Sequence, residues 1–147
     1  KSLHRGYIGF ESDSQCFLNT LHYVHHELKW PRIYYKHVIT PLPFEEIAER
    51  PDKDVLIAIR QSLANLEING PNTIIGVLPD KKMITCCDSK KLRPVVVGRT
   101  DDMVAISSEV CGLNEIMPDR DQTKDIYPNE REIVVIDNDL EVQRWKQ

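Results

Sequence analysis

From Asn72 to Leu113 the chain reads as four short apolar runs, TIIGVLP, MITCCD, RPVVVGR and MVAISSEV, broken by DKK, SKKL and TDD. Each run is long enough for a strand and too short for a helix, and each break is polar or turn-forming, so the pattern predicts an antiparallel meander. Such a sheet must cover at least one apolar face. Two helical patterns lie before it and a last strand pair after it.

The first helix is signalled by Ser12-Asp13-Ser14-Gln15, a Ser-x-x-Gln spacing of the capping-box type, just ahead of Phe17, Leu18, Leu21, Val24 and Leu28 at helical intervals. The pattern predicts a helix from about Asp13 to Leu28, stopped by Trp30-Pro31. Residues 31–42 (PRIYYKHVITPL) mix β-formers with prolines and read as a loop or a short edge strand. Pro43 suits the first turn of a short helix, PFEEIAER, with its acidic pair near the positive end. A further helix should run from about Asp52 with Val55, Ile59, Leu63 and Leu66 on one face, ending at Asn69-Gly70-Pro71. After the sheet, residues 114–127 carry no period and read as a surface excursion. EIVVID (132–137) and LEVQRW (140–145) then close the chain as a hairpin around Asn138-Asp139. Helices followed by antiparallel strands, with no βαβ alternation, give an α+β class. No glycine-rich strand-to-helix turn supports a doubly wound fold.

At 147 residues this is one domain's worth of sequence. A net charge of −4 gives no basic footprint, so nucleic acid and anionic membrane are set aside as partners. Lys90, Lys91 and Arg93 form a local cluster only. No apolar run approaches the length of a membrane span, and KSLHRGYIG lacks the apolar centre of a signal peptide. Four cysteines, two of them adjacent, do not make a disulfide framework and fit a reducing, cytoplasmic compartment. The start at Lys1, without an initiator Met, reads as a cut or processed end.

Candidate chemistry is sparse. His22 and His26 stand one helical turn apart, as zinc-binding pairs do, but they fall on the polar side of the stripe, with no intervening glutamate of the HExxH kind and no evident third ligand. The expectation is a solvated face and no metal. Cys86 and Cys87 are neighbours in a strand, so their side chains point to opposite faces and cannot act together. Each reads as a small core or interface residue, as does Cys111. Cys16 lies where a helix dipole lowers a thiol pKa, yet has no partner base, so burial is the reading taken. Asp13 has two readings: a carboxylate serving the helix end, or one facing a cleft and receiving a ligand's ammonium group.

Three segments, in order, resemble the later part of a class II (N-terminal nucleophile) glutamine amidotransferase domain, that of glutamate synthases and amidophosphoribosyltransferases above all. RGYIGFESDSQCFLNTL resembles the family's glycine-aromatic turn leading into a Ser/Thr-Asp-Ser/Thr-Glu helix start. CDSKKLRPVVVGRTDDMVAISSEVCGL resembles the run Asp-x-x-Gly-Leu-Arg-Pro, a strand, and then Ala-Ser-Glu. DIYPNEREIVVID resembles the family's Pro-Gly-Glu turn and strand.

The resemblance implies a four-layer αββα sandwich of antiparallel sheets, in which this chain is the C-terminal portion of a single domain. It implies hydrolysis of glutamine to glutamate, with ammonia passed to a synthase partner such as an FMN-bearing glutamate synthase domain or subunit. No cofactor is expected in this chain itself. Asp13 falls on the carboxylate that binds the α-amino group of glutamine, a pairing that fixes which end of the substrate enters. The family nucleophile is a cysteine at the mature N-terminus whose own amine serves as base. Lys1 stands here instead, so the resemblance places the nucleophile on a missing N-terminal segment or a second chain, and none of the four thiols in that role. Gln15, Lys91 and Asn129 depart from the family's glutamate and two glycines. The alternatives are a non-catalytic descendant acting as a binding or regulatory module, and a small interaction domain of accidental likeness.

Overall fold

A computed structural model of the protein describes residues 12–63 and 70–146, apart from the side chain of Asp13. The chain forms two compact units, Lys1–Ile68 and Asn69–Gln147.

The described part of the first unit is built of helices. Its longest element, α1 (Asp13–His26), begins where expected, and the Ser12 side chain caps it by accepting from the Gln15 N–H at 3.4 Å. The buried face differs in one position from the sequence reading. Leu21 and Val24 are buried, but Leu18 is 65% exposed and Thr20 takes its place. Burial of that hydroxyl is tolerated because Thr20 Oγ1 donates to the Cys16 carbonyl at 2.8 Å, one turn back. The helix ends through Lys29 in the left-handed region, φ 57°, with the Trp30 N–H bonded back to the Val24 carbonyl.

Residues 31–42 are neither loop nor edge strand. A 3-10 turn over Arg32–Tyr34 leads into α2 (Tyr35–Ile39), all five residues of which are buried. Its aromatic and β-branched content reflects burial, which strands and buried helices share. The short α3 (Phe44–Ala48) starts after Pro43, with Glu45 and Glu46 in its first turn and Ile47 buried. In α4 (Lys53–Ser62) the inward face carries Leu56 and Ile59, followed by Leu63, while Val55 is half-exposed. Leu66 and the expected end at Asn69 lie outside the described residues. Asp52 stands at the cap position of α4 but gives its carboxylate to Arg50 at 2.8 Å, which holds its pKa below the usual carboxylate range against the opposing effect of burial.

The second unit holds the sheets. The four runs are not one meander. β1 (Thr73–Val77) and β2 (Met83–Cys87) form a hairpin whose neighbours are the last two strands, β5 (Ile133–Ile136) and β6 (Val142–Trp145), in the order β1-β2-β5-β6. β3 (Val96–Arg99) and β4 (Val104–Ser107) pair separately as a two-stranded ribbon. The physical reason lies in burial: Ile84–Cys87 and all of β5 are buried, so these strands are covered on both faces and belong in the middle of a sheet. The ribbon packs against one of those faces, with Val97 and Val104 set against Val134 and Ile136. On the ribbon's other side sits α5 (Val110–Ile116), through Leu113 and Met117 against Val96. Gly98 permits this approach, because a Cβ there would stand 2.9 Å from both Leu113 Cδ1 and Met117 Cε.

Residues 114–127, expected as a surface excursion, fold back instead. Arg120 and Asp125 form an enclosed ion pair at 2.9 Å, with side chains 0% and 1% exposed, and Ile126 exchanges two backbone bonds with Val97. The expected final hairpin is present, its turn held by the Asp137 carboxylate accepting from the Asp139 and Glu141 N–H groups. The class is α+β with antiparallel sheets.

Candidate functional site

Two places carry the residues singled out in the sequence. The first is the start of α1. Ser12 occupies the cap and Asp13 is the first helical residue. The Asp13 side chain itself lies outside the described residues. Further along the helix, the His22 and His26 rings stand 4.2 Å apart and His25 and His26 5.0 Å. Among the described residues no group of three or more His, Cys, Asp and Glu side chains could hold a metal ion.

The thiols are separated. Cys86 and Cys87 are buried on opposite faces of β2, and Cys16 is half-buried. Burial pushes the Cys87 thiol above its ordinary value. Cys111 is exposed and donates its S–H to Glu109 Oε2 at 3.1 Å; that carboxylate raises the thiol's pKa, the reverse of what a nucleophile needs.

The second place is the junction at Asp88, where β2 runs out into the loop toward β3. Sequence reasoning treated this aspartate only as one letter of a motif. It is buried, and it ties together three stretches distant in sequence. Its Oδ2 accepts from the Asn72 N–H at 2.6 Å and its Oδ1 from the Lys90 N–H at 2.7 Å, while its carbonyl accepts from the Arg131 N–H at 3.1 Å. The first bond anchors the start of β1, the second forms an Asx turn into Lys90-Lys91, and the third brings in the turn before β5. Asp88 thus joins the second and third of the three sequence segments.

The turn before β5 has its own clamp. Glu132, fully buried, meets Arg144 of β6 through two bonds, Nε to Oε1 at 2.5 Å and Nη2 to Oε2 at 2.9 Å, and its Oε2 also accepts from the Asn129 N–H at 2.7 Å. Burial alone would push this carboxyl up. The Arg144 and Asn129 bonds outweigh it and bring the pKa below the ordinary glutamate value.

Backbone geometry adds a signal absent from the residue letters. Lys91 stands at φ 48° and Arg131 at φ 53°, both in the left-handed region where glycine is at ease. At Lys91 the Cβ strain is relieved by glycine, partly offset by glycine's greater unfolded-state freedom. Lys91→Gly is therefore expected to stabilise the protein by about 0.5–1 kcal/mol, read as an upward shift of the denaturant midpoint with unchanged slope. A midpoint that falls would show that the lysine side chain contributes more than its strain costs.

No family model matches the chain. An uncharacterized protein of Archaeoglobus fulgidus is 32% identical over 77 residues, which are 52% of this chain and 20% of that protein. Among solved structures, glutamine phosphoribosylpyrophosphate (PRPP) amidotransferase from B. subtilis complexed with ADP and GMP aligns at a TM-score of 0.49 and 16% identity, over 99% of this chain and 25% of that one. The chain thus spans a fifth of the length of the first protein and a quarter of the second. No helix among the described residues is long and apolar enough to cross a membrane.

Proposed function

We propose that this chain is the C-terminal portion of a class II glutamine amidotransferase domain of glutamate-synthase type, one that releases ammonia from glutamine for a synthase partner. The observation that carries the reading is the left-handed backbone at Lys91, φ 48°. In the family run Asp-x-x-Gly-Leu-Arg-Pro, glycine stands where Lys91 stands here, and a glycine at that place is what a positive φ requires. The Asp88 Asx turn gives the first letter of the run a matching purpose.

On this reading the ribbon and the four-stranded sheet are the two β layers of an αββα sandwich. Strands and the nucleophile come from an upstream segment, in the same polypeptide or another. The upstream cysteine attacks the glutamine amide carbon, its thiol proton passes by way of the terminal amine to the departing nitrogen, and ammonia leaves a thioester that water then hydrolyses to glutamate. Asp13 pairs with the substrate's ammonium and so holds the amide end toward the thiol.

The test is glutamate release from glutamine by this chain alone and with the upstream segment restored. The chain alone should be inert and the completed domain active. In the completed domain Asp13→Asn should weaken glutamine binding by about 2–5 kcal/mol with little loss of folding. Activity in the isolated chain, or near-normal kinetics in that variant, would overturn the assignment. A folded but inactive completed domain would favour the non-catalytic descendant.

A further inference from the structure

The rings of the first unit form a ladder that runs outward from its interior. Tyr35 of α2 is buried, and the His25 ring meets it edge-on with centroids 6.3 Å apart. His26 stands edge-on to His25 at 5.0 Å, and His22 lies beside His26 at 4.2 Å with the planes inclined by 33°. His25 is half-buried, whereas His22 and His26 are exposed. The ladder thus ends in two solvent-facing imidazoles, and the ring next to them is seated against the core.

Helix geometry accounts for the outer pair. α1 holds 14 residues under its Ser12 cap, and residues four apart lie one above the other on the same face. The spacing of the two rings then selects what they bind. An ion about 2.0–2.1 Å from an imidazole nitrogen lies about 3.2 Å from the centre of that ring, so rings 4.2 Å apart subtend about 80° at it. That is close to the angle of about 90° between adjacent positions of a square-planar or tetragonal shell. A tetrahedral ion opens its ligands to about 109° and would set the two ring centres about 5.2 Å apart. The pair therefore suits copper(II) or nickel(II) better than zinc, and copper(II) is also the first-row dication that nitrogen ligands hold most tightly. A closed zinc site needs four protein ligands, whereas a tetragonal shell is completed here by water.

We propose that His22 and His26 bind a dication of the copper(II) and nickel(II) class in adjacent coordination positions, with His25 seating the His26 ring. Both ligands lie on one continuous helix whose other face is buried through Leu21 and Val24, so the site is held in place before the ion arrives. This inference stands apart from the proposed amidotransferase function.

Isothermal titration of the protein with nickel(II), copper(II) and zinc(II) chlorides should show copper(II) bound most tightly and zinc(II) more weakly. His22→Ala and His26→Ala, both at exposed positions, should each weaken nickel(II) binding by about 100-fold or more, because the second ligand acts at high effective concentration. Their circular dichroism spectra should match the wild type. His25→Ala keeps both ligands and loosens the ladder, and should cost about 10-fold. The copper(II)-loaded protein should show splitting from two imidazole nitrogens in its electron paramagnetic resonance spectrum, and from one in either ligand variant. Nickel(II) affinity undiminished in His22→Ala or His26→Ala, zinc(II) held as tightly as copper(II), or a copper(II) spectrum unchanged by both ligand variants would each overturn the proposal.

Discussion

Asp125→Ala should lower the thermal midpoint of the second unit by on the order of 10 °C or more, the largest stability effect expected of a single polar side chain in this protein. The carboxylate and Arg120 are enclosed, and the guanidinium donates to both Asp125 oxygens from Nε and to Oδ2 from Nη2, with Nη1 on the Met117 carbonyl. Hydrogen bonding to Asp125 raises the Arg120 pKa against the opposing effect of burial, and when that partner is removed the intrinsic basicity of the guanidinium keeps the arginine charged. A charge left inside without its counterion is far costlier than a lost surface pair. Replacing both residues by apolar ones of similar volume, Arg120→Met with Asp125→Leu, should recover much of the loss. A small shift for the single variant, by differential scanning calorimetry, would mean that water reaches the guanidinium once the aspartate is gone.

Arg144→Ala should cost about 2–3 kcal/mol, less than a fully enclosed pair because the arginine side chain is about one-third exposed and solvent screens it. The same clamp predicts a pH dependence. The folded pKa of Glu132 lies below its ordinary value near 4.5, so the unfolded chain takes up the proton first as pH falls. Its stabilising contribution is complete above the unfolded pKa and is lost as pH drops through the folded one. Denaturant midpoints measured from pH 7 down to about pH 3 should fall on the acid side of about pH 5 in the wild type, and more shallowly in Glu132→Gln. Equal slopes in the two proteins would remove Glu132 as the source.

What the sequence showed depended on whether burial leaves a periodic trace. α1 and α4 were legible because each buries one face, and the final hairpin because its Asn138-Asp139 turn interrupts two apolar runs. Strand partnership was not legible. β2 is covered on both faces, so ITCC lacks the alternation that would distinguish an inner from an outer side, and nothing local names β5 as its neighbour. α5 escaped because seven residues hold too few turns for a period, and Gly112 within it reads as a breaker. Leu18 and Thr20 exchanged places because an unpartnered leucine outranks a threonine in any hydrophobic count, whereas the bond from Thr20 to Cys16 decides the matter in the fold. Of the candidate site, the ligand role given to Asp13 rests on resemblance alone. The junction at Asp88 and the left-handed turn at Lys91 were hidden, because the run DSKKL contains no glycine to advertise a positive φ.

The pairing of β2 with β5 also has a consequence in time. Cys87 and Ile133 are separated by about 46 residues of chain. At a synthesis rate of about 5–20 residues per second, roughly 2 to 9 seconds pass between completion of the β1–β2 hairpin and arrival of the strand that seals its inner edge. Throughout that interval the ribosome carries a hairpin with an apolar, uncharged run of open backbone on either side. The arrival of β5 thus ends the exposure of the β2 edge to holdase chaperones and to other nascent chains. Slowing translation between Cys87 and Ile133 would lengthen that exposure, whereas slowing it before Thr73 would not.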